Sequence, residues 1–311
     1  MKTPFVISRL LKAPRQLVWE AYTRPEHLQH WFGPKGSTVT HSQMDWRDGG
    51  SYHYAMTTAE GQELWGKWQL RAIVPPEKLE LIQHFSDPQG GVTRNPWTVL
   101  WPLYTLSTTT FTEEGSNTRL TIEWAAYNAT PEEEANFAAS HAGMQQGWGG
   151  SLDVLADYLS LQDPREIVMS RTVRAPRAKV WAAMTDPTQV VHWWGPTGFT
   201  TQIEEMDVRV GGQWKHTMVG PDGTRYPNRS VFREVVPNER IVYTHGGGKE
   251  HSQGAHFTAT WTFDEVPEGT RVTIRMVFDS ADERNFVVRE YGAIDGGYQT
   301  LNRLDSYLHK D

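Results

Sequence analysis

Apolar and polar residues alternate through about 37–46, 50–58, 64–74, 78–85, 99–112 and 118–127, the period of strands with one buried face. An alternating opening segment, FVISRLLK (5–12), precedes them, followed by two short helical segments, the first carrying Val18 and Trp19. That helix follows Ala-Pro-Arg, where Pro suits the first turn. The second begins near Pro25 and stops at Gly33-Pro34, which cannot continue a helix. After the strands, Phe137, His141, Met144, Trp148, Leu152, Leu155 and Leu159 recur at spacings of three and four, one face of a long closing helix. Strand, two short helices, a run of antiparallel strands and one helix make an α+β pattern.

The whole pattern occurs twice. KAPRQLVWEAYTRPEHLQHWFGP (12–34) lies over RAPRAKVWAAMTDPTQVVHWWGP (174–196) without a gap, and MDWRDGGSYHYAM (44–56) over MDVRVGGQWKHTM (206–218), both at an offset of 162. The offset falls to 152 where TFTEEGSNTRLTI (110–122) meets TFDEVPEGTRVTI (262–274), and to 149 where LDVLADYL (152–159) meets LNRLDSYL (301–308). The first copy therefore carries about ten extra residues near 86–105. A period this long means tandem domains rather than a solenoid. The junction falls near SLQDPRE (160–166), whose Asp-Pro stops the preceding helix, so the domains are expected at 1–162 and 163–311.

The closing helices carry an unusual glycine load: Gly143, Gly147, Gly149 and Gly150 in the first copy, Gly292, Gly296 and Gly297 in the second. Each costs about 1 kcal/mol relative to Ala in a helix, a heavy total against a domain stability of about 5–15 kcal/mol. Two explanations stand: close approach of helix to sheet, or room for a guest between them.

Composition narrows the functional classes. The formal charge is -7 and Lys and Arg are scattered, which argues against nucleic acid. The absence of cysteine excludes disulfides and thiol chemistry. No apolar run reaches about 18 residues, and charges interrupt the N-terminal apolar stretch, so neither membrane insertion nor a signal peptide is expected and the protein is placed in the cytoplasm. Fourteen tryptophans supply large rings that pack cores or wall apolar pockets. No Gly-x-Ser-x-Gly elbow occurs, and GGGKE (246–250) lacks the spacing of a phosphate-binding loop. His27 and His30, and His245, His251 and His256, lack a metal-site pattern, so no metal and no cofactor are expected.

Ala-Pro-x-x-x-Val-Trp, Trp-aromatic-Gly-Pro, Met-Asp-x-Arg-x-Gly-Gly, Gly-Thr-Arg-x-Thr-Ile and the endings GMQQGWGGSLDVLADYL and GAIDGGYQTLNRLDSYL, in this order, resemble the family named for activator of Hsp90 ATPase homologue, in the START-like (SRPBCC, Bet v 1-like) superfamily. The resemblance covers nearly all of both copies. It implies two helix-grip domains, each with an antiparallel sheet of about seven strands curled around a long C-terminal helix. Between sheet and helix the superfamily commonly holds hydrophobic molecules such as lipids, sterols or polyketides. A chaperone partner follows from the family name only.

On this frame the repeated His-Trp-aromatic-Gly-Pro phrase places Trp31 and Phe32, and Trp193 and Trp194, at the turn near a cavity entrance, as staples or as a gate. Strand alternation puts Tyr52, Tyr54 and Met56, and Trp214, His216 and Met218, on the inner face. His141, Met144 and Trp148 face them from the first closing helix, and Ala293 and Gly297 from the second. Replacing Met144 and Trp148 by Ala293 and Gly297 removes bulk, so the second cavity is expected to be the roomier. The favoured expectation is binding of a small hydrophobic or aromatic molecule without catalysis. The alternatives are a cyclase- or aromatase-type enzyme working in the second pocket with His216, Glu290 or Asp295 moving protons, and a chaperone-associated interaction module.

Overall fold

The computed structural model describes residues 3–248 and 254–309. Contacts divide the chain into two compact units, Met1–Gln162 and Asp163–Asp311.

In the first unit β1 (Phe5–Leu11) leads into α1 (Arg15–Thr23) and α2 (Pro25–Trp31), followed by β2 (Thr38–Asp45), β3 (Ser51–Thr57), β4 (Glu63–Val74), β5 (Lys78–Ser86), the two-residue β6 (Val92–Thr93), β7 (Tyr104–Glu114) and β8 (Asn117–Tyr127). Helices α3 (Pro131–Ala139) and α4 (His141–Ser160) close it. The antiparallel sheet has the order β1-β8-β7-β5-β4-β3-β2, with β6 paired to β5. The second unit repeats the plan with β9 (Glu166–Val173), α5 (Arg177–Thr185), α6 (Pro187–Val190), β10 (Thr200–Met206), β11 (Gln213–Val219), β12 (Arg225–Val236), β13 (Arg240–Gly247), β14 (Ala255–Val266), β15 (Gly269–Val277), α7 (Ala281–Tyr291) and α8 (Ala293–Leu308). Its seven strands run β10-β11-β12-β13-β14-β15-β9. Each unit is thus built on a path of seven antiparallel strands with helices, the first with the short β6 added, the α+β helix-grip arrangement that the sequence pattern and its resemblance led to.

Repeated residues make repeated bonds. Trp31 Nε1 donates to the Ala21 carbonyl at 2.7 Å, and Trp193 Nε1 to that of Ala183 at 3.0 Å. The hydroxyls of Thr118 and Thr270 donate to the Ala13 and Ala175 carbonyls, both at 2.8 Å. A bulge falls between Leu70 and Ala72 in β4 and between Phe232 and Glu234 at the matching place in β12; bulges bend a strand and increase its twist.

Two expected elements differ. The single closing helix is two helices in each unit. In the second, Gly292 adopts the left-handed region (φ 57°) between α7 and α8, a conformation that glycine takes without strain. In the first, the break comes at Ser140, whose hydroxyl bonds back to the Asn136 carbonyl. The strand expected from 99 begins instead at Tyr104. Pro96 and Pro102 cannot donate to a sheet ladder, and the Asn95 side chain accepts from the Trp97 and Thr98 amides to form a local turn.

Candidate functional site

Helix α4 divides into two functions. Its C-terminal half buries Leu152, Leu155 and Leu159 in the core, while Met144, Gly147, Trp148 and Ser151 on its N-terminal half stand over a cavity of about 290 Å³ in the first unit. A Cβ added at Gly143, Gly147, Gly149 or Gly150 would meet nothing within 4 Å. Close packing therefore does not explain these glycines, and of the four only Gly147 borders the cavity.

The sheet supplies the opposite wall through Tyr54, Met56, Gln83, Phe85, Thr105 and Trp124, and the turn after α2 adds Phe32. Tyr54 lies across Gly66, its register partner in β4, with the phenol so close that a Cβ at Gly66 would overlap it. Burial, reinforced by neighbouring Tyr52, pushes the Tyr54 phenol well above its ordinary pKa, so it stays neutral. Trp148 stands edge-on to Trp124 with ring centroids 5.3 Å apart, and Trp124 Nε1 donates to Ser107 Oγ at 2.9 Å. Trp148 therefore lines the space. The Ser151 hydroxyl donates to the Gly33 carbonyl at 2.9 Å, tying α4 to the turn that carries Phe32.

The extra residues of the first copy complete the rim. Trp97, Trp101, Pro102 and Leu103 border the cavity. Trp101 packs on Phe137, Trp97 on Phe85, and the Arg94 guanidinium pairs with the Glu133 carboxylate and holds it below the usual carboxylate range. Trp97 remains 61% exposed.

The second unit is built to the same plan, with α8 closely packed at Gly296 and Gly297. A Cβ at Gly297 would run into Met169 Sδ and Cε, and one at Gly296 would lie 3.2 Å from Pro196. Here close packing does explain the glycines. The expectation of a roomier second cavity weighed the helix and left out the sheet, which carries larger side chains in the second unit. Phe257 and Trp261 stand at the positions of Thr105 and Thr109, and Trp194 at that of Phe32. Trp194 packs at 4.5 Å from Trp214 and 5.6 Å from Trp261, while Trp261 Nε1 donates to Tyr243 at 3.2 Å.

The residues expected at the sites accordingly separate. Phe32, Tyr54, Met56, Met144 and Trp148 meet around the first cavity. Trp31 and Trp193 are buried staples, and Tyr52 is buried against Trp68. His141 lies between Phe5 and Phe137, off the cavity wall, with its Nε2 buried and without a hydrogen-bond partner among the described residues. Met218 packs toward Gly195 and half-buried Ala293 joins the second core. Trp214 and His216 belong to the filled interior. His216 is 2% exposed; its Nε2 accepts from Trp194 Nε1 at 3.1 Å, which leaves the proton on Nδ1, where it finds no partner among the described residues. Burial, with His245 nearby, lowers its pKa to about 3.

The proposed proton carriers of a second-pocket enzyme fail on position. Glu290 is exposed and pairs with Arg289 at 3.0 Å, Asp295 is exposed at the start of α8, and His216 stays neutral in a packed interior. Of the histidines weighed for metal, His27 bonds to the Tyr158 hydroxyl at 2.6 Å and His245 to Ser230 at 3.1 Å. Lys249, Glu250 and His251 lie outside the described residues.

Gly66, Gln83, Thr105 and Trp124 were not singled out from sequence. Their signal was available: Gln83 follows Leu79 and Leu81 on one face of a strand, where an apolar residue would continue the pattern.

The sequence model of the activator of Hsp90 ATPase homolog 1-like proteins matches twice, over residues 12–160 and 174–309. The chain belongs to this family. Its fold is that of the SRPBCC superfamily, typically a hydrophobic ligand-binding fold. Among solved structures, a protein from Chromobacterium violaceum is 25% identical over 47% of this chain and 99% of its own, with a TM-score of 0.40. One from Mycobacterium smegmatis is 27% identical over 47% and 92%, with a TM-score of 0.42. DynU16, from the dynemicin biosynthetic locus, covers 98% of this chain and 99% of its own at 15% identity, with a TM-score of 0.37. No curated protein matches the chain. No helix among the described residues is long and apolar enough to cross a membrane.

Proposed function

We propose that the first unit binds a small aromatic or hydrophobic molecule between its sheet and α4, without catalysis, and that the second unit is a packed relative of it. The observation that carries this reading is the 290 Å³ cavity walled by Phe32, Tyr54, Phe85, Trp124 and Trp148. Its volume lies just under the range of ligand pockets, about 300–1,000 Å³, which fits a small guest of about two rings. Apolar burial, at about 25 cal/mol per Å² before the entropic costs of association, supplies the affinity. Of the α4 glycines Gly147 borders the cavity and leaves it room, and Trp97, Trp101, Pro102 and Leu103 add to its rim.

Native mass spectrometry of the purified full chain, followed by addition of a neutral bicyclic aromatic compound, tests this reading. A single adduct of one guest per chain supports it. A protein that takes up no aromatic guest at any concentration overturns it.

A further inference from the structure

The cavity of the first unit has no charged residue in its wall among the described residues. Its polar side-chain groups are hydroxyls, tryptophan indole N–H donors, one amide and His84, whose pKa burial and the Lys67 charge lower, and whose Nδ1 donates to the Phe85 carbonyl at 2.8 Å. Within that wall Gln83 has a special place. It pairs in register with Trp68 on β4 and Thr105 on β7, so its side chain shares the inner face with theirs. Its carboxamide makes no hydrogen bond with any described residue, although it is half-buried. A carboxamide offers two donors and an acceptor, and here they are free to meet a guest. In the second unit the matching position is His245, which bonds to Ser230 and stacks on Phe257 at 4.5 Å. The polar group is satisfied where the space is filled and left open where there is a cavity.

We infer that the cavity selects an uncharged aromatic guest carrying an amide- or ketone-like polar group, and that Gln83 is the residue that reads that group. An ionised carboxylate would enter a wall with no counter-charge and only neutral partners, and so would be rejected. This inference rests on the proposed binding site.

Three naphthalene probes of similar size test it by calorimetry on the full chain at pH 7.4: 2-ethylnaphthalene, 2-naphthamide and 2-naphthoate. The amide is expected to bind at least about tenfold more tightly than the carboxylate. In Gln83→Leu, the ratio of amide to hydrocarbon affinity is expected to fall about tenfold, a change that a merely structural role would not produce because it would weaken both alike. Carboxylate binding within threefold of the amide, or an unchanged ratio in Gln83→Leu, overturns the inference while leaving the site in place. Failure of all three probes to bind overturns the site and the inference together.

Discussion

Met169 occupies the space beneath Gly297, so that a Cβ at Gly297 would overlap its thioether. In the first unit the matching pair is Ile7 and Trp148, and Trp148 turns toward Trp124 beside open volume. One fold thus closes this place in one copy and leaves it beside a cavity in the other.

If Met169 is the filler, Met169→Ala leaves a void. A loss of about 2–4 kcal/mol is expected, together with a new, weak site for a small apolar probe in the second unit. Urea denaturation and probe titration measure the two effects. A loss under about 1 kcal/mol with no new site would show that Met169 does not fill that interior.

The glycines of α4 make the converse case. Gly143→Ala and Gly149→Ala add a methyl where nothing lies within 4 Å, so helix propensity should raise stability by up to about 1 kcal/mol each. Thermal denaturation reads the sign. Destabilisation by either would restore the close-packing explanation.

Gly66 acts on the opposite wall. Gly66→Ala drives a methyl into the Tyr54 phenol, which must swing into the cavity, at an expected cost of about 1–3 kcal/mol and with a clear loss of affinity for an aromatic guest. Unchanged affinity would mean that the guest does not use this end of the cavity.

Acid should act on the second unit. His216 and His245 have pKa values lowered by burial to about 3 and about 4, the second also by His256. The unfolded chain takes up these protons near pH 6.5 and the folded unit does not, so their contribution to stability is full above pH 6.5 and is lost as pH falls below it. By pH 4.5 the loss is roughly 2–3 kcal/mol per histidine. His216→Phe should flatten the fall in denaturation midpoint between pH 7 and 4.5; an equally steep fall would remove His216 as its source.

Particular residues show what the sequence could reveal. Paired Trp31 and Trp193, Thr118 and Thr270, and matching Gly-Pro turns carried the duplication and the fold, because such residues make the same local bonds wherever they recur. Which copy is hollow depends on small differences summed across facing walls. Replacing Trp148 by Gly297 pointed to the second unit, but Thr105 to Phe257 and Thr109 to Trp261 on the sheet, with Ile7 to Met169, outweigh it. The helix break at Ser140 carried no strong signal, since serine also occurs inside helices.

The central claim is that the usable volume lies in the first unit alone. Thr105→Phe gives that cavity the side chain the second unit carries at the same place. Calorimetric titration of 2-ethylnaphthalene into the full chain should show one site, and Thr105→Phe should weaken it at least about tenfold, a change of 1.4 kcal/mol or more. Two equivalent sites, or undiminished affinity in Thr105→Phe, would contradict the claim.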